Sequence, residues 1–394
     1  MYRIGVDIGG TFTDLVVVED AGAVHFGKIA STPEDQSIGV MAGLDMMAGR
    51  LLMPLVAMLG QTERIVHGMT VATNALLERK GARLGLLTTE GHRDVLEMRE
   101  GLKPERYNLR LPRHPALAPR ALRFGVRERM RDTGSVETSL DMDSLDTAIE
   151  ALRGEKVEAI AVCYLHAYAN PAHEQQTRDR LAELLPDVYV SLSSDVLPQI
   201  KEYERVSTTA VNAYVGPALE RYLARLQNRL KETGYSGPAL ITLSHGGVAP
   251  ISEAIRLAAG TVLSGPAGGL AGARHASGVL DVGDLIPFDM GGTSTDISLI
   301  VDGETTLSSD RVVAGERIAL SSLDIVTLGA GGGSIASVDT GGLLNVGPHS
   351  AGASPGPACY GNGGVEPTVT DANVALGFLN PDGFSGGGSA LDTK

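Results

Sequence analysis

Asp7-Ile8-Gly9-Gly10-Thr11-Phe12-Thr13-Asp14 recurs as Asp289-Met290-Gly291-Gly292-Thr293-Ser294-Thr295-Asp296, with six of eight positions identical. Each copy follows a short apolar run (Tyr2–Val6; 285–288) and precedes another (Leu15–Val18; 297–301). That layout reads as strand, tight turn, strand. Paired glycines let backbone N–H groups approach an anion closely, because no Cβ intervenes. Threonine hydroxyls add donors, and successive turn N–H groups form an anion-binding nest. The leading Asp is too negative to touch phosphate directly. It suits hydrated Mg²⁺, which keeps several waters and takes one or two carboxylates together with phosphate oxygens. One copy alone reads equally well as a glycine-rich hairpin. Two copies, far apart and similarly flanked, read as two turns gripping one polyphosphate.

Composition sets the frame. The 394 residues allow two or more domains with ample core. Hydrophobic content of 43% and charged content of 20% are ordinary for a globular protein, and a net charge of −14 argues against nucleic acid as a partner. Cys163 and Cys359 are the only cysteines, too few for a disulfide framework or a CxxC metal site. The uncharged stretch 257–273 is broken by Gly and Pro and is no membrane span. With no signal peptide before the first strand, a cytoplasmic location is expected.

One segment departs from the acidic average. Ten basic and three acidic residues lie between Arg99 and Arg131, with prolines at 104, 112, 115 and 119. It reads as an irregular, exposed excursion, either a solvated loop or a docking face for an acidic partner or anionic substrate.

Strands and helices alternate along the chain, so α/β architecture is expected. Pro33, after a Ser31-Thr32 cap, should open a helix with Ile38, Met41, Leu44 and Met47 on one face. A strand at 64–67 should lead through His67-Gly68-Met69-Thr70 into a helix ending at Gly81. Strands are expected at 84–88, 157–164, 188–192 and 240–243, and helices at 141–153 and 171–185. A boundary is expected at 193–198. Residues 201–231 should form a helical stretch interrupted at Gly216-Pro217, and Ser264-Gly265-Pro266-Ala267-Gly268-Gly269 should open another helix.

The paired turns resemble those of the actin-like ATPase (ribonuclease H-like) fold shared with sugar kinases and acetate kinase. Further motifs narrow the resemblance. His67-Gly68-Met69-Thr70-Val71-Ala72-Thr73-Asn74-Ala75 is similar to the HGTTVATNA box of the hydantoinase A/5-oxoprolinase family, with Met69 in place of the usual Thr. Glu202–Tyr214, Ser264–Gly269, Gly329–Ser334, Gly347–Cys359 and Pro367–Asn373 resemble other stretches of that family. The resemblance implies an α/β protein of two related halves, 1–195 and 196–394. It also implies an incomplete second half at Lys394, since the family pattern continues to a late adenosine-binding box.

The same resemblance implies an ATP-binding subunit of a cyclic amide hydrolase that phosphorylates the ring amide before hydrolysis. The alternatives are the ATP-handling subunit of an acetone- or acetophenone-type carboxylase, and a non-catalytic actin-like fragment. ATP and Mg²⁺ are the implied cofactors, and a hydantoinase B-type subunit in a hetero-oligomer is the implied partner. Asp7 and Asp289 are expected to hold the metal. Gly9, Gly10, Thr11, Thr13, Gly291, Gly292, Thr293, Ser294 and Thr295 are expected at the nucleotide. Asp14 and Asp296 are expected to pin their turns by accepting backbone N–H bonds. His67 is a catalytic candidate; Gly68, Thr70, His245, Gly331 and Gly332 are substrate-side candidates, and Asp324 a weaker one. Glu202, Glu204 and Arg205 read as a local ion-pair network, and both cysteines as structural.

Overall fold

A computed structural model describes residues 1–9, 12–32, 34–101, 105, 107–352, 354–382 and 391–393. Strands β1 (Tyr2–Ile8), β2 (Phe12–Glu19) and β3 (Val24–Ala30) form an antiparallel meander. Helices α1 (Gln36–Arg50) and α2 (Leu55–Gly60) lead to β4 (Thr62–Met69), which lies parallel to β1, and to α3 (Val71–Leu77).

The chain then builds a second module. It contains β5 (Leu84–Thr89), α4 (Val95–Met98), β6 (Arg123–Val126), the hairpin β7 (Arg129–Met130) and β8 (Val136–Thr138), α5 (Met142–Gly154), β9 (Ala159–Cys163), α6 (Ala172–Leu184) and β10 (Tyr189–Leu192). Its sheet, β10-β9-β5-β6, is parallel throughout. After α7 (Ser193–Val196), the long α8 (Glu202–Glu232) returns the chain to the first sheet. There β11 (Ala239–Thr242) pairs with β4, and β12 (Val248–Pro250) with β11.

The first sheet thus runs β12-β11-β4-β1-β2-β3, the ribonuclease H-like order. Hydrogen bonding therefore does not stop at the expected 195/196 division. Parallel neighbours need a long crossover, and here the crossover from β4 to β11 carries the whole second module.

Helices α9 (Ile251–Arg256) and α10 (Ser264–Leu280) complete this part. The expected end-to-end alternation then ceases. From Phe288 to Ser350 come only strands: β13 (Phe288–Met290), β14 (Thr295–Ser298), β15 (Ile300–Val301), β16 (Glu304–Thr305), β17 (Leu307–Ser308), β18 (Arg311–Val313), β19 (Glu316–Ile318), β20 (Ser322–Leu323), β21 (Ile325–Leu328), β22 (Ser334–Val338) and β23 (Leu344–Ser350). Asp302-Gly303 and Ala314-Gly315 cut the apolar runs before a helix could nucleate. Helix α11 (Val369–Ala375) follows. Among the described residues, no helix is long and apolar enough to cross a membrane.

The strand period of two decides what the first sheet does. Ile4, Val6 and Ile8 of β1, Leu15 and Val17 of β2, and Ile65 and Met69 of β4 are buried together with Val40, Leu44 and Met47 of α1. Truncating one of these large side chains to Ala costs about 2–5 kcal/mol. The alternate positions Gly5, Asp7, Val16, Val66 and Gly68 line an open cleft instead.

Several local expectations are corrected. Pro33 lies outside the described residues; the cap of α1 is Asp35, whose carboxylate accepts from the Ser37 N–H at 3.1 Å. Thr32 ties this cap by donating to the Asp35 carbonyl. Ile38 is exposed, because the buried stripe runs Val40, Gly43, Leu44, Met47. Helix α3 ends at Leu77, and Gly81 serves packing: a Cβ there would lie 2.2 Å from the Tyr214 ring. Helix α8 runs unbroken through Pro217. Both Gly216 and Pro217 are buried, and a Cβ on Gly216 would lie 2.3 Å from the Tyr189 ring, so packing overrides local propensity.

The basic excursion is knitted into the second module rather than left loose. Arg113 pairs with Glu97, Arg120 with Asp94, Arg127 with Asp141 and Arg131 with Glu137, while buried Arg123 reaches Glu97 and the Ala118 carbonyl. Lys103 and Arg106 lie outside the described residues. Arg205 does not join a local network with Glu202 and Glu204. It is buried, donates to the Tyr164 carbonyl and Ser193 Oγ, and so bonds α8 to the second module. Both cysteines are buried, as expected.

Candidate functional site

The two repeated turns have the same local build. In each, the first glycine N–H donates to the carbonyl three residues on: Gly9 to Phe12 and Gly291 to Ser294, both at 2.9 Å. In each, the flanking aspartates face one another across the hairpin, Asp7 opposite Asp14 and Asp289 opposite Asp296. A third strand then supplies a partner at the same level. Lys28 on β3 is opposite Asp14 and donates to it at 2.8 Å; Thr327 on β21 is opposite Asp296 and donates to it at 2.6 Å. These cross-strand partners are what Asp14 and Asp296 hold, rather than the turn N–H bonds expected.

Both hairpins line one cleft of about 880 Å³. Its walls include Asp7, Gly9 and Asp14 on one side and Asp289, Gly291, Ser294 and Asp296 on the other. Helix α10 lies between them. A Cβ on Gly265 would lie 3.7 Å from Asp7 Oδ1, and one on Gly269 would lie 3.6 Å from Asp289 Oδ2. Gly68 makes room for the first carboxylate, since a Cβ there would lie 2.7 Å from Asp7 Oδ1. The start of α10 is fixed by the Leu263 N–H donating to Thr73 Oγ1 and by Ser264 Oγ donating to the Met69 carbonyl.

The electrostatics are those of crowded acids. Like charges directly opposite in a hairpin are destabilising, and both hairpins carry such a pair. Asp7 is held above the ordinary carboxyl value, first by removal from bulk water, then by the charges of Asp14 and Asp289, with Lys28 opposing. Asp296 is raised too, first by burial and also by Asp289, with the Thr327 hydroxyl opposing. Oxygen donors with surplus negative charge suit a hard cation. Among the described residues no group of three or more His, Cys, Asp or Glu could close around an ion. Magnesium fits this set, because it completes its shell with water and phosphate oxygens.

Of the residues predicted from sequence, the fold gathers Asp7, Gly9, Gly68, Thr70, Asp289, Gly291 and Ser294 on the cleft. Gly10 and Thr11 lie outside the described residues. Gly292 and Thr293 form the exposed tip of the second turn. Thr13 and Thr295 point away into the protein, where Thr13 meets Ser31 and Thr295 donates to the Ala330 carbonyl.

His67 is the clearest correction. It is one residue from Gly68, so the strand period sends its side chain to the opposite face. There it is buried, with Nδ1 on the Val6 carbonyl at 3.2 Å and Nε2 on the Tyr222 hydroxyl at 2.7 Å. Burial lowers its pKa to about 4, so it is a neutral core residue that donates from Nδ1 and accepts at Nε2.

Gly331 and Gly332 buttress the second turn from behind: the Gly332 N–H donates to the Gly291 carbonyl at 2.9 Å, and Gly333 to Gly292 at 2.6 Å. His245 lines a separate cavity of about 590 Å³ on another flank of α10, with Arg274 and His275. Asp324 lies on neither cavity wall. Sequence reading missed Thr73, Leu77, Gly265, Gly269 and the segment Val312–Ala314, all on the cleft. For Gly265 and Gly269 the signal was present, as glycines spaced one turn apart at a helix start.

Residues 3–185 match the model of the hydantoinase/oxoprolinase N-terminal region, and residues 205–394 match the hydantoinase/oxoprolinase model. The chain is 41% identical over 395 residues to the caprolactamase subunit alpha of Pseudomonas jessenii, covering 100% of this chain and 57% of that protein. The crystal structure of the ATP-dependent caprolactamase from Pseudomonas jessenii superposes with a TM-score of 0.85 at 42% identity, covering 96% of this chain and 55% of that one. Nucleotide-free acetone carboxylase superposes with a TM-score of 0.85 at 31% identity, covering 100% and 57%. The chain therefore spans a little over half the length of these relatives.

Proposed function

This chain belongs to the hydantoinase/oxoprolinase family, and from that premise we propose that it is the ATP-handling subunit of an enzyme that activates a cyclic amide by phosphorylation. The observation that carries the reading is the meeting of both acid-flanked glycine turns on one cleft, with the glycine face of α10 between them. The named relatives, an ATP-dependent caprolactamase and an acetone carboxylase whose carboxylation is ATP-dependent, support ATP as the nucleotide.

Ser294 would hold phosphate oxygens through its backbone N–H and hydroxyl, with Gly9 and Gly291 closing the turns so that no side chain blocks the approach and α10 presenting its N-terminal end to the same charge. Asp7 and Asp289 would hold Mg²⁺ through its waters, and the ion would neutralise charge on the triphosphate. Gly10 and Thr11 belong to the same proposal by their place in the repeat.

A ring amide is a poor electrophile. Attack of its oxygen on the γ-phosphorus, with ADP leaving, gives an imidate-like phosphate; water adds to the ring carbon, the C–N bond breaks with a proton passing to the ring nitrogen, and a second water cleaves the resulting acyl phosphate to carboxylate and free phosphate. The protein's task in the first step is positioning and charge neutralisation. A carboxylase of the acetone type would share this phosphorylation and differ in the acceptor. A B-type partner subunit in a hetero-oligomer and a cytoplasmic location complete the proposal, the former supported by the subunit naming of the relatives.

The test is phosphate release by the chain together with its partner subunit, assayed with hydantoins, 5-oxoproline, caprolactam, and ketones with bicarbonate. Stimulation by a cyclic amide supports the reading. Stimulation by a ketone with bicarbonate alone replaces it with the carboxylase reading, and no nucleotide binding in calorimetry removes both.

A further inference from the structure

We propose that the β18–β19 hairpin is the substrate-facing wall of the cleft, and that Val312 and Ala314 at its tip set the size of ring admitted. The inference rests on the cyclic-amide reading above and adds the residues that would determine specificity.

The cleft has an apolar end as well as a charged one. Leu77, Leu263, Val312, Val313 and Ala314 line it together with the acids. Helix α3 measures the separation. At its start Thr70 Oγ1 donates to the Ile8 carbonyl, beside the first phosphate turn. Leu77, at its far end, is seven residues on, about 10 Å at 1.5 Å per residue. Arg79, just beyond, donates to the Ala314 carbonyl at 2.9 Å. The hairpin tip therefore stands across the cleft, about two helical turns from the phosphate turn.

The tip is held in an unusual backbone conformation. Val313 pairs with Glu316, leaving a two-residue loop in which Ala314 has φ 52° and Gly315 φ 80°. Two positive φ values define the tight turn that suits a twisted hairpin, and an alanine rarely occupies the first position. Such strain persists where surrounding structure over-determines it, and here the clamps are explicit. The Ala314 and Gly315 carbonyls accept from Arg79 and from Arg99, the latter at 2.8 Å. Buried Glu316 pairs with Arg79 and with His114, each at 2.8 Å. Gly315 must be glycine, because a Cβ would lie 2.3 Å from the His114 ring.

Helix α8 fastens the base. Ser207 Oγ donates to the Arg317 carbonyl at 2.8 Å, Thr208 Oγ1 accepts from the Ala319 N–H at 2.9 Å, and the Tyr203 hydroxyl accepts from Arg99 Nε at 2.9 Å. Tyr203, Ser207 and Thr208 of the Glu202–Tyr214 motif thus position this hairpin. Three remote parts of the chain fix a loop whose Val312 remains exposed on the cleft, which is the arrangement of a rigid wall with an open face.

The experiment titrates the full chain in complex with its partner subunit, with Mg²⁺ and a non-hydrolysable ATP analogue present, against 2-pyrrolidinone, 2-piperidinone and ε-caprolactam. Wild type, Val312→Phe and Val312→Ala are compared. Expected is a loss of at least tenfold for the largest ring bound when Val312→Phe narrows the cleft, and a shift towards larger rings in Val312→Ala. Analogue affinity should stay within twofold. Arg79→Met should weaken lactam binding while leaving the analogue bound, with partial recovery in Arg79→Lys. An unchanged ring-size profile in both Val312 variants overturns the inference and leaves the cyclic-amide reading standing. A wild type that binds the analogue and no lactam overturns both. As a second readout, Val312→Cys gives a reactive thiol against two buried native cysteines. Saturating lactam should slow its labelling, and an unchanged rate at saturation also overturns the inference.

Discussion

Asp7 and Asp289 stand against the same helix, one opposite Gly265 and the other opposite Gly269, so a single turn of α10 spaces the two carboxylates. Positions four apart on a helix lie on one face, about 6 Å along its axis. Side chains at either glycine would fill the gap between helix and acid. The helix therefore sets the separation of the two hairpins and leaves the space between them to a ligand.

Asp7→Asn and Asp289→Asn should each lower nucleotide turnover by about a hundredfold or more, the scale for removing a preorganised charge contact, with the fold intact. For Asp7 a stability sign follows. Its folded pKa is raised, so the ionised form burdens the folded state at neutral pH, and the burden disappears as pH falls below the unfolded value of 3.8. Without nucleotide, Asp7→Asn should melt higher than wild type at pH 7 and lose that advantage near pH 3. Wild-type affinity for Mg²⁺-ATP in both variants would sink the metal assignment.

Gly269→Val should abolish nucleotide binding without unfolding the chain, because its branches enter the space facing Asp289. Gly272→Ala on the same helix meets nothing within 4 Å. It should stabilise the protein by about 0.5–1 kcal/mol through helix propensity and leave nucleotide affinity unchanged. Thermal melts and calorimetry on the pair separate the two effects; equal nucleotide affinity in both would count against α10 as a wall of the site.

His67 provides a pH test. Its folded pKa of about 4 lies below the ordinary histidine value of 6.5, so the unfolded chain takes up a proton that the folded one refuses. Stability should be full above pH 6.5 and fall by about 3 kcal/mol as pH drops to 4, at 1.36 kcal/mol per unit. His67→Gln should flatten that part of the curve in denaturant titrations, and nucleotide turnover should persist. Loss of turnover in a folded His67→Gln protein would restore a catalytic role.

Gly331→Ala should damage the site from behind. Its Cβ would lie 2.7 Å from both the Gly291 carbonyl oxygen and the Ser294 nitrogen, backbone atoms with no rotamer to yield. A loss of about 1–3 kcal/mol is expected, as for overpacking, together with weaker nucleotide binding. Unchanged melting would show that the second turn shifts freely.

How far the site was legible varied residue by residue. Asp7, Gly9, Asp289 and Gly291 were readable because a repeated eight-residue pattern is a local signal, and each hairpin forms from its own sequence. His67 was misread because a histidine beside Gly68 looks equally placed in a linear motif, while in a strand neighbours face opposite sides. Gly331 and Gly332 looked like a ligand loop, and they are glycines because one backbone lies directly on another. Arg205 looked like a partner for Glu202 and Glu204 until the second module brought Tyr164 and Ser193 to it.

By itself, the sequence determined the two acid-flanked turns, the apolar faces of the first sheet and the family to which the chain belongs, because these reside in short-range patterns of residue type. Only the tertiary structure decided that both turns open on one cleft, that α10 spaces their acids, and that the β18–β19 hairpin closes the far end. Those relations join residues hundreds of positions apart. They are set by the pairing order of the first sheet and by long-range partners such as Arg79 with buried Glu316, which no local pattern encodes.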